Sequence, residues 1–229
     1  MLRYPCLVLD HDDTVVRSEA TVNYPAFLQA LRELRPGQTV SLREFSLWTF
    51  QEGFFEMCAN HFGFREPEFQ RQFAIWLDYV MTHVPPCFPG IRPILQRQRE
   101  EGGLICVVSH SAKENISRDY QTHFGLQPDR IYGWELGPEK RKPAPYPLDD
   151  IMAGFGLEPG DLLVVDDLNT GYAMAKARGV DFVWAGWSRD NMPEIAAAMA
   201  PIADYAFASP DELAKFLFAP VSAGLTGVV

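Results

Sequence analysis

CLVLDHDDTVV, residues 6–16, is an apolar run that breaks into a cluster of acids. Cys6 to Leu9 carries no charged side chain and suits a strand buried on both faces, as in the middle of a parallel sheet. The run stops at Asp10, His11, Asp12 and Asp13. Carboxylates this close repel one another and lose hydration when partly buried, so the cluster needs a compensating charge. The pattern recurs downstream, where residues 162–165 run into Asp166 and Asp167, and residues 104–108 run into Ser109.

From residue 104 onward, apolar runs alternate with amphipathic stretches. Residues 104–108, 131–134, 162–165, 182–185 and 205–207 read as strands, and helical patterns separate them. Strand, helix, strand, helix predicts an α/β fold, a doubly wound parallel sheet covered on both faces. Ser111 and Glu114 have capping-box spacing at the start of one such helix.

Residues 17–88 break this rhythm. They hold several helical patterns and no strand run. Ser41 and Glu44 form a second capping box, with Val40 and Phe45 placed as a hydrophobic staple. Phe69, Phe73, Trp76, Leu77 and Val80 recur at helical spacing behind Pro67. Trp48, Phe50, Phe54, Phe55 and Trp76 are expected mostly in the core of this helical insertion. Residues 48–54 form the stretch best placed to face an active site. The stiff segment 85–90, PPCFPG, marks the return to the sheet. The expected division is a Rossmann-like core of residues 1–16 and 89–218, an all-helical cap over 17–88, and a loosely ordered tail over 219–229.

The chain has 229 residues, 47% apolar and 22% charged, enough for one or two domains with a sizeable core. A formal charge of -10 argues against nucleic acid or an anionic membrane as a main partner. It leaves room for a small anionic ligand, because a metal ion or lysine can invert the field inside one pocket. Cys6, Cys58, Cys87 and Cys106 have no C-x-x-C spacing and read as free thiols, mostly buried. No leader pattern or membrane-length apolar span stands out, so a cytoplasmic protein is expected. The oligomeric state is left open.

In parallel sheets, ligands bind beyond the carboxyl ends of the strands. The residues expected at that edge are Asp10 and Asp12 after the first strand, Ser109 after the second, and Asp166 and Asp167 after the fourth. Lys142 lies in the loop before the helix that leads to the fourth strand. The acids are hard oxygen donors suited to Mg²⁺. Ser109 and Lys142 complement phosphate oxygens. A carboxylate nucleophile, a second acid, a divalent ion and a phosphate clamp together suit phosphoryl transfer through an aspartyl-phosphate. The acidic pair alone would also fit a receiver-type phosphoacceptor, but that leaves the first motif and the helical insertion unexplained.

Four motifs in order resemble those of the haloacid dehalogenase (HAD) superfamily, in the branch with a helical cap, near phosphoglycolate phosphatases and β-phosphoglucomutases. They are Asp10-His11-Asp12-Asp13-Thr14, Val107-Val108-Ser109, Lys142-Pro143-Ala144-Pro145, and Val164-Val165-Asp166-Asp167 with Gly171 following. The resemblance implies Asp10 as nucleophile and Asp12 as general acid and base. It implies Mg²⁺ held by Asp10, the backbone carbonyl of Asp12, and Asp167, with Asp166 reaching the ion directly or through water. Ser109 and Lys142 would bind the transferring phosphoryl group. Asp13 stands where many relatives have Gly, and His11 is expected to point away from its two neighbours. Arg17, Asn23 and Arg43 are weaker candidates for substrate contact.

Asp12 and the metal acids argue against halide displacement from carbon. Residues 17–86 contain no lysine for the Schiff base of a phosphonate-cleaving relative. The expected function is a Mg²⁺-dependent phosphatase acting on a small phosphorylated metabolite. The alternatives are a sugar-phosphate mutase and a non-catalytic binding protein on the same scaffold.

Overall fold

Six strands, β1 (Cys6–Leu9), β2 (Leu104–Val108), β3 (Arg130–Tyr132), β4 (Leu162–Asp166), β5 (Asp181–Ala185) and β6 (Tyr205–Phe207), lie in one sheet in the computed structural model. The structure describes residues 2–189 and 191–219. The strand order is β3-β2-β1-β4-β5-β6, and every pairing is parallel. Val8 of β1 is in register with Cys106 on one side and Val164 on the other. The order therefore reverses between β1 and β4, and a crevice forms at their carboxyl ends.

Between β1 and the stiff segment at 85–90 the chain makes a π-helical turn (Glu19–Asn23) and four helices, α1 (Tyr24–Leu34), α2 (Leu42–Glu52), α3 (Phe54–Phe62) and α4 (Glu68–Thr82). They bury a cluster of their own around Phe27, Leu31, Val40, Phe45, Met57, Cys58, Phe62 and Phe64. The box at Ser41 is present: its hydroxyl accepts the Glu44 N–H at 3.2 Å, and Glu44 accepts the Ser41 N–H at 2.9 Å. The staple residues Val40 and Phe45 are both buried.

The aromatic residues of this segment pack less deeply than their spacing implies. Phe55, Phe73 and Leu77 are exposed, while Trp48, Phe50, Phe54 and Trp76 are only half-buried. The face of α4 that packs inward carries Gln72, Ile75 and Val80. The apolar stripe is wider than the contact with α1, so its outer edge is left in solvent. The segments entering and leaving the helices pair with each other. Arg17 N–H donates to Pro86 O at 2.9 Å, and Phe88 N–H donates to Val15 O at 3.0 Å.

Six further helices cover the sheet: α5 (Ile91–Glu100), α6 (Lys113–Phe124), α7 (Tyr146–Phe155), α8 (Asn169–Lys176), α9 (Pro193–Met199) and α10 (Pro210–Phe218). Strand alternation sends Leu7, Leu9, Ile105, Val107, Leu163 and Val165 to the face under α5, α6 and α10. Cys6, Val8, Cys106, Val108, Leu162 and Val164 go to the face under α7, α8 and α9. Both faces of the sheet are buried, as the apolar runs require. All four cysteines are free, and Cys87 alone among them is not buried.

Two local expectations are corrected. The strand at 131–134 ends at Tyr132, and Trp134 opens a 3-10 turn. Ser111 does not cap α6; the N-cap is Ala112. Ser111 is held by its backbone instead, donating to Ser109 Oγ at 3.2 Å and accepting from Trp134 N–H at 2.9 Å. Glu135, from the next loop, accepts the freed Lys113 N–H at 3.2 Å. The tail expected to be loose over 219–229 lies, from residue 220 on, outside the described residues.

Gly171, in the first turn of α8, sits against the end of β4. A Cβ there would lie 2.2 Å from Asp166 Oδ2 and 2.5 Å from Asp166 Cβ. Gly171→Ala should therefore destabilise the fold by about 1–3 kcal/mol in urea unfolding, because α8 must move off the strand. An unchanged midpoint would contradict this close approach.

Candidate active site

β1 ends as Asp10 N–H donates to Val165 O at 2.9 Å, which seats Asp10 beside the end of β4. There the sheet brings together Asp10, Asp166 and Asp167, all buried, with carboxylate oxygens within 4.8 Å of one another. Lys142 reaches the same point from its loop. Its Nζ donates to Asp10 Oδ1 and to Asp166 Oδ2, each at 2.6 Å. Asp166 also accepts the Leu168 N–H on Oδ1 at 2.8 Å.

Ser109 follows β2, where its N–H donates to Tyr132 O at 2.9 Å. Its hydroxyl makes a long 3.4 Å contact to Asp12 Oδ2. Asp12 is less buried than Asp10, and its carboxylate is not part of the acidic triad. All six residues singled out from the sequence thus come to one edge of the sheet.

The electrostatics follow from burial. Burial pushes the Asp166 and Asp167 carboxyls up; Asp10 adds to this, while Lys142 opposes it at Asp166 and Arg189 at Asp167. Burial likewise raises Asp12, with Asp10 adding and His11 opposing. For Lys142, burial works against the charge, but Asp10 and Asp166 outweigh it and hold the ammonium above its ordinary range. His110 goes the other way. Burial and Lys142 push it down to about 4, and its Nε2 donates to Lys142 O at 2.9 Å.

The neighbours within the first loop have separate tasks. His11 points away from the site and pairs with Asp119 of α6 at 3.1 Å, both nearly fully buried. Asp13 has a φ of +56°, the left-handed conformation that glycine adopts freely. Its Oδ2 accepts the Glu19 N–H at 3.0 Å, which ties the loop to the first helical turn.

Arg189 was not among the residues singled out from the sequence. Its side chain is 5% exposed and donates to Asp167 Oδ2 from Nε and Nη2, at 3.0 and 2.5 Å. An arginine in a loop beyond an apolar strand has no distinguishing spacing, so no sequence signal pointed to it. The weaker candidates are engaged elsewhere: Asn23 accepts from Trp76 Nε1 at 2.9 Å, Arg43 pairs with Glu194 at 2.5 Å, and Arg17 lies over the Phe88 ring. Within 48–54, Phe50 packs against the core cluster that includes Trp184 and Met192, and Trp48 stacks on His61.

The haloacid dehalogenase-like hydrolase family model matches residues 7–185. The chain belongs to this family. No curated protein matches the sequence. Among solved structures, a predicted phosphoglycolate phosphatase from Haemophilus somnus 129PT superposes with a TM-score of 0.73 at 21% identity, over 94% of this chain and 99% of that one. A point mutant of CbbY from Rhodobacter sphaeroides, in complex with xylulose-1,5-bisphosphate, gives 0.70 at 18%, over 93% and 96%. A HAD family hydrolase from Deinococcus radiodurans R1, with bound phosphate and sodium, gives 0.73 at 19%, over 93% and 95%. At these identities the likeness establishes the fold. No helix among the described residues is long and apolar enough to cross a membrane.

The acidic triad fits a divalent ion. Its donors are hard oxygens, and Lys142 and Arg189 each leave the second oxygen of Asp10 and Asp167 clear. Binding should also relieve the repulsion that raises Asp166 and Asp167. Mg²⁺ at about a hundred times its Kd should stabilise the fold by about 2.7 kcal/mol, read as a rise in Tm. Asp10→Asn should shrink that rise, and an equal rise in the variant would place the ion elsewhere.

Proposed function

We propose that the protein is a Mg²⁺-dependent phosphatase that hydrolyses a small organic phosphomonoester through an aspartyl-phosphate on Asp10. One observation carries this reading. The Lys142 ammonium lies 2.6 Å from both Asp10 and Asp166, with Ser109 and Asp12 at the same strand edge.

Each group has a role that follows from its surroundings. Lys142 and Ser109 hold the phosphoryl oxygens and orient phosphorus toward Asp10. One Asp10 oxygen attacks phosphorus as the ester P–O bond breaks. Asp12, whose carboxyl burial pushes above the usual carboxylate range, gives its proton to the departing oxygen. Asp12 then takes a proton from water as that water attacks phosphorus of the Asp10 acyl phosphate, breaking the P–O bond to Asp10, releasing phosphate and restoring the carboxylate. Asp10, Asp167 and the backbone carbonyl of Asp12 would hold Mg²⁺, which supplies charge neutralisation for the phosphoryl group, with Asp166, engaged by Lys142 and the Leu168 N–H, reaching it directly or through water.

Residues 17–88 act as a cap over a core of residues 1–16 and 89–218. The paired segments at 15–17 and 86–88 provide the joint about which the cap opens to admit substrate. The relatives with bound phosphate or a sugar bisphosphate support a phosphorylated small molecule as substrate. The charge of -10 supports a site that depends on local cations rather than on the overall field.

Phosphate release from a panel of phosphorylated metabolites and an aryl phosphate, with Mg²⁺ and with chelator, tests the reading. Turnover should require Mg²⁺, and Asp10→Asn should lose at least about 10³-fold in kcat. Asp12→Asn should lose about 10²–10⁴-fold, more with an alkyl than an aryl leaving group. With alkyl substrates the rate should fall as pH rises through the raised Asp12 pKa, because the acid form is the proton donor. Metal-independent turnover, or full activity of Asp10→Asn, would overturn the proposal.

A further inference from the structure

Arg189 reaches in two directions at once. Besides its two bonds to Asp167 Oδ2, its Nη1 donates to Glu19 Oε1 at 2.6 Å. Glu19 opens the π-helical turn that begins the helical segment, and the same Oε1 accepts the hydroxyl of Ser46 in α2. Asp167 and Ser46 are fully buried, and the Glu19 side chain is 13% exposed. One rigid guanidinium fork therefore ties an acid of the triad to two elements of the helical segment. Out of solvent, such a link is not weakened as an exposed ion pair is.

The mechanism proposed above does not use this link. A residue needed only to neutralise buried acids would bond Asp167 and stop there. The bond from Nη1 to Glu19 makes the charge on Asp167 depend on where the helical segment sits. With Glu19 in place, the guanidinium charge is shared between two carboxylates, and Asp167 retains more of its own charge for a cation. With the helical segment lifted away, Arg189 turns wholly to Asp167 and competes electrostatically with the ion.

We propose that Arg189 is a positioning residue that couples the seating of the helical segment, through Glu19 and Ser46, to the ion-binding power of Asp167. The proposal rests on the reading of Asp10, Asp166 and Asp167 as a metal site. By linkage, an ion at the triad favours the seated helical segment as much as seating favours the ion.

Calorimetric titration of the full chain with Mg²⁺, without substrate, separates this from a merely electrostatic role. Glu19→Gln should weaken Mg²⁺ binding by about fivefold or more. In an Arg189→Met background the same substitution should change Kd by no more than about twofold, the limit of additivity. Arg189→Lys, which keeps the charge but has no fork, provides the background if Arg189→Met does not fold. Mg²⁺ should also slow hydrogen exchange across α2 in the wild type more than in Glu19→Gln. Equal factors in the two backgrounds, no effect of Glu19→Gln, or exchange in the wild type that ignores Mg²⁺ would overturn the coupling while leaving the metal site standing. A wild-type protein that takes up no Mg²⁺ would overturn both.

Discussion

Three carboxylates held within 4.8 Å of one another beneath the surface set the terms for everything around them. Two cations, Lys142 and Arg189, are buried to meet them, and each is committed to particular oxygens. Breaking such a pair leaves an uncompensated buried charge, so both cations stay among the acids. The strand order supplies the place: β1 and β4 are neighbours, and the acids at their ends cannot avoid each other. The left-handed Asp13, the close approach of Gly171 to Asp166 and the trapping of Glu19 are local consequences of fitting this cluster into the crevice.

Much of this was legible because it is written in short-range pattern. Apolar runs of four or five residues ending in acids or Ser109 specify strands whose last residues face one edge. Asp10, Asp12, Ser109, Lys142, Asp166 and Asp167 could be placed together from their order alone. His11 could be set aside by strand alternation, and it lies on Asp119. The resemblance to the haloacid dehalogenase superfamily, stated from four motifs, agrees with the family match over residues 7–185.

What was not legible depends on tertiary choices that leave no period in the sequence. Arg189 is an ordinary residue of a loop until the fold brings Asp167 and Glu19 within reach. The Ser111 box had correct spacing but lost to Trp134 and Ser109 in the competition for the Ser111 backbone. On α4 the apolar stripe was real, yet Phe73 and Leu77 lie at its outer edge and stay exposed. In each case the outcome was set by what another segment did or did not place beside the residue.

The central claim is that Asp10 becomes phosphorylated. Acid quenching within the first turnover of a ³²P-labelled substrate, followed by peptide mapping, tests it most directly. The account predicts a hydroxylamine-labile label on the peptide containing Asp10, present with Mg²⁺ and enriched in Asp12→Asn, whose second step lacks its base. Active enzyme that carries no label, or carries it on another residue, would contradict the account.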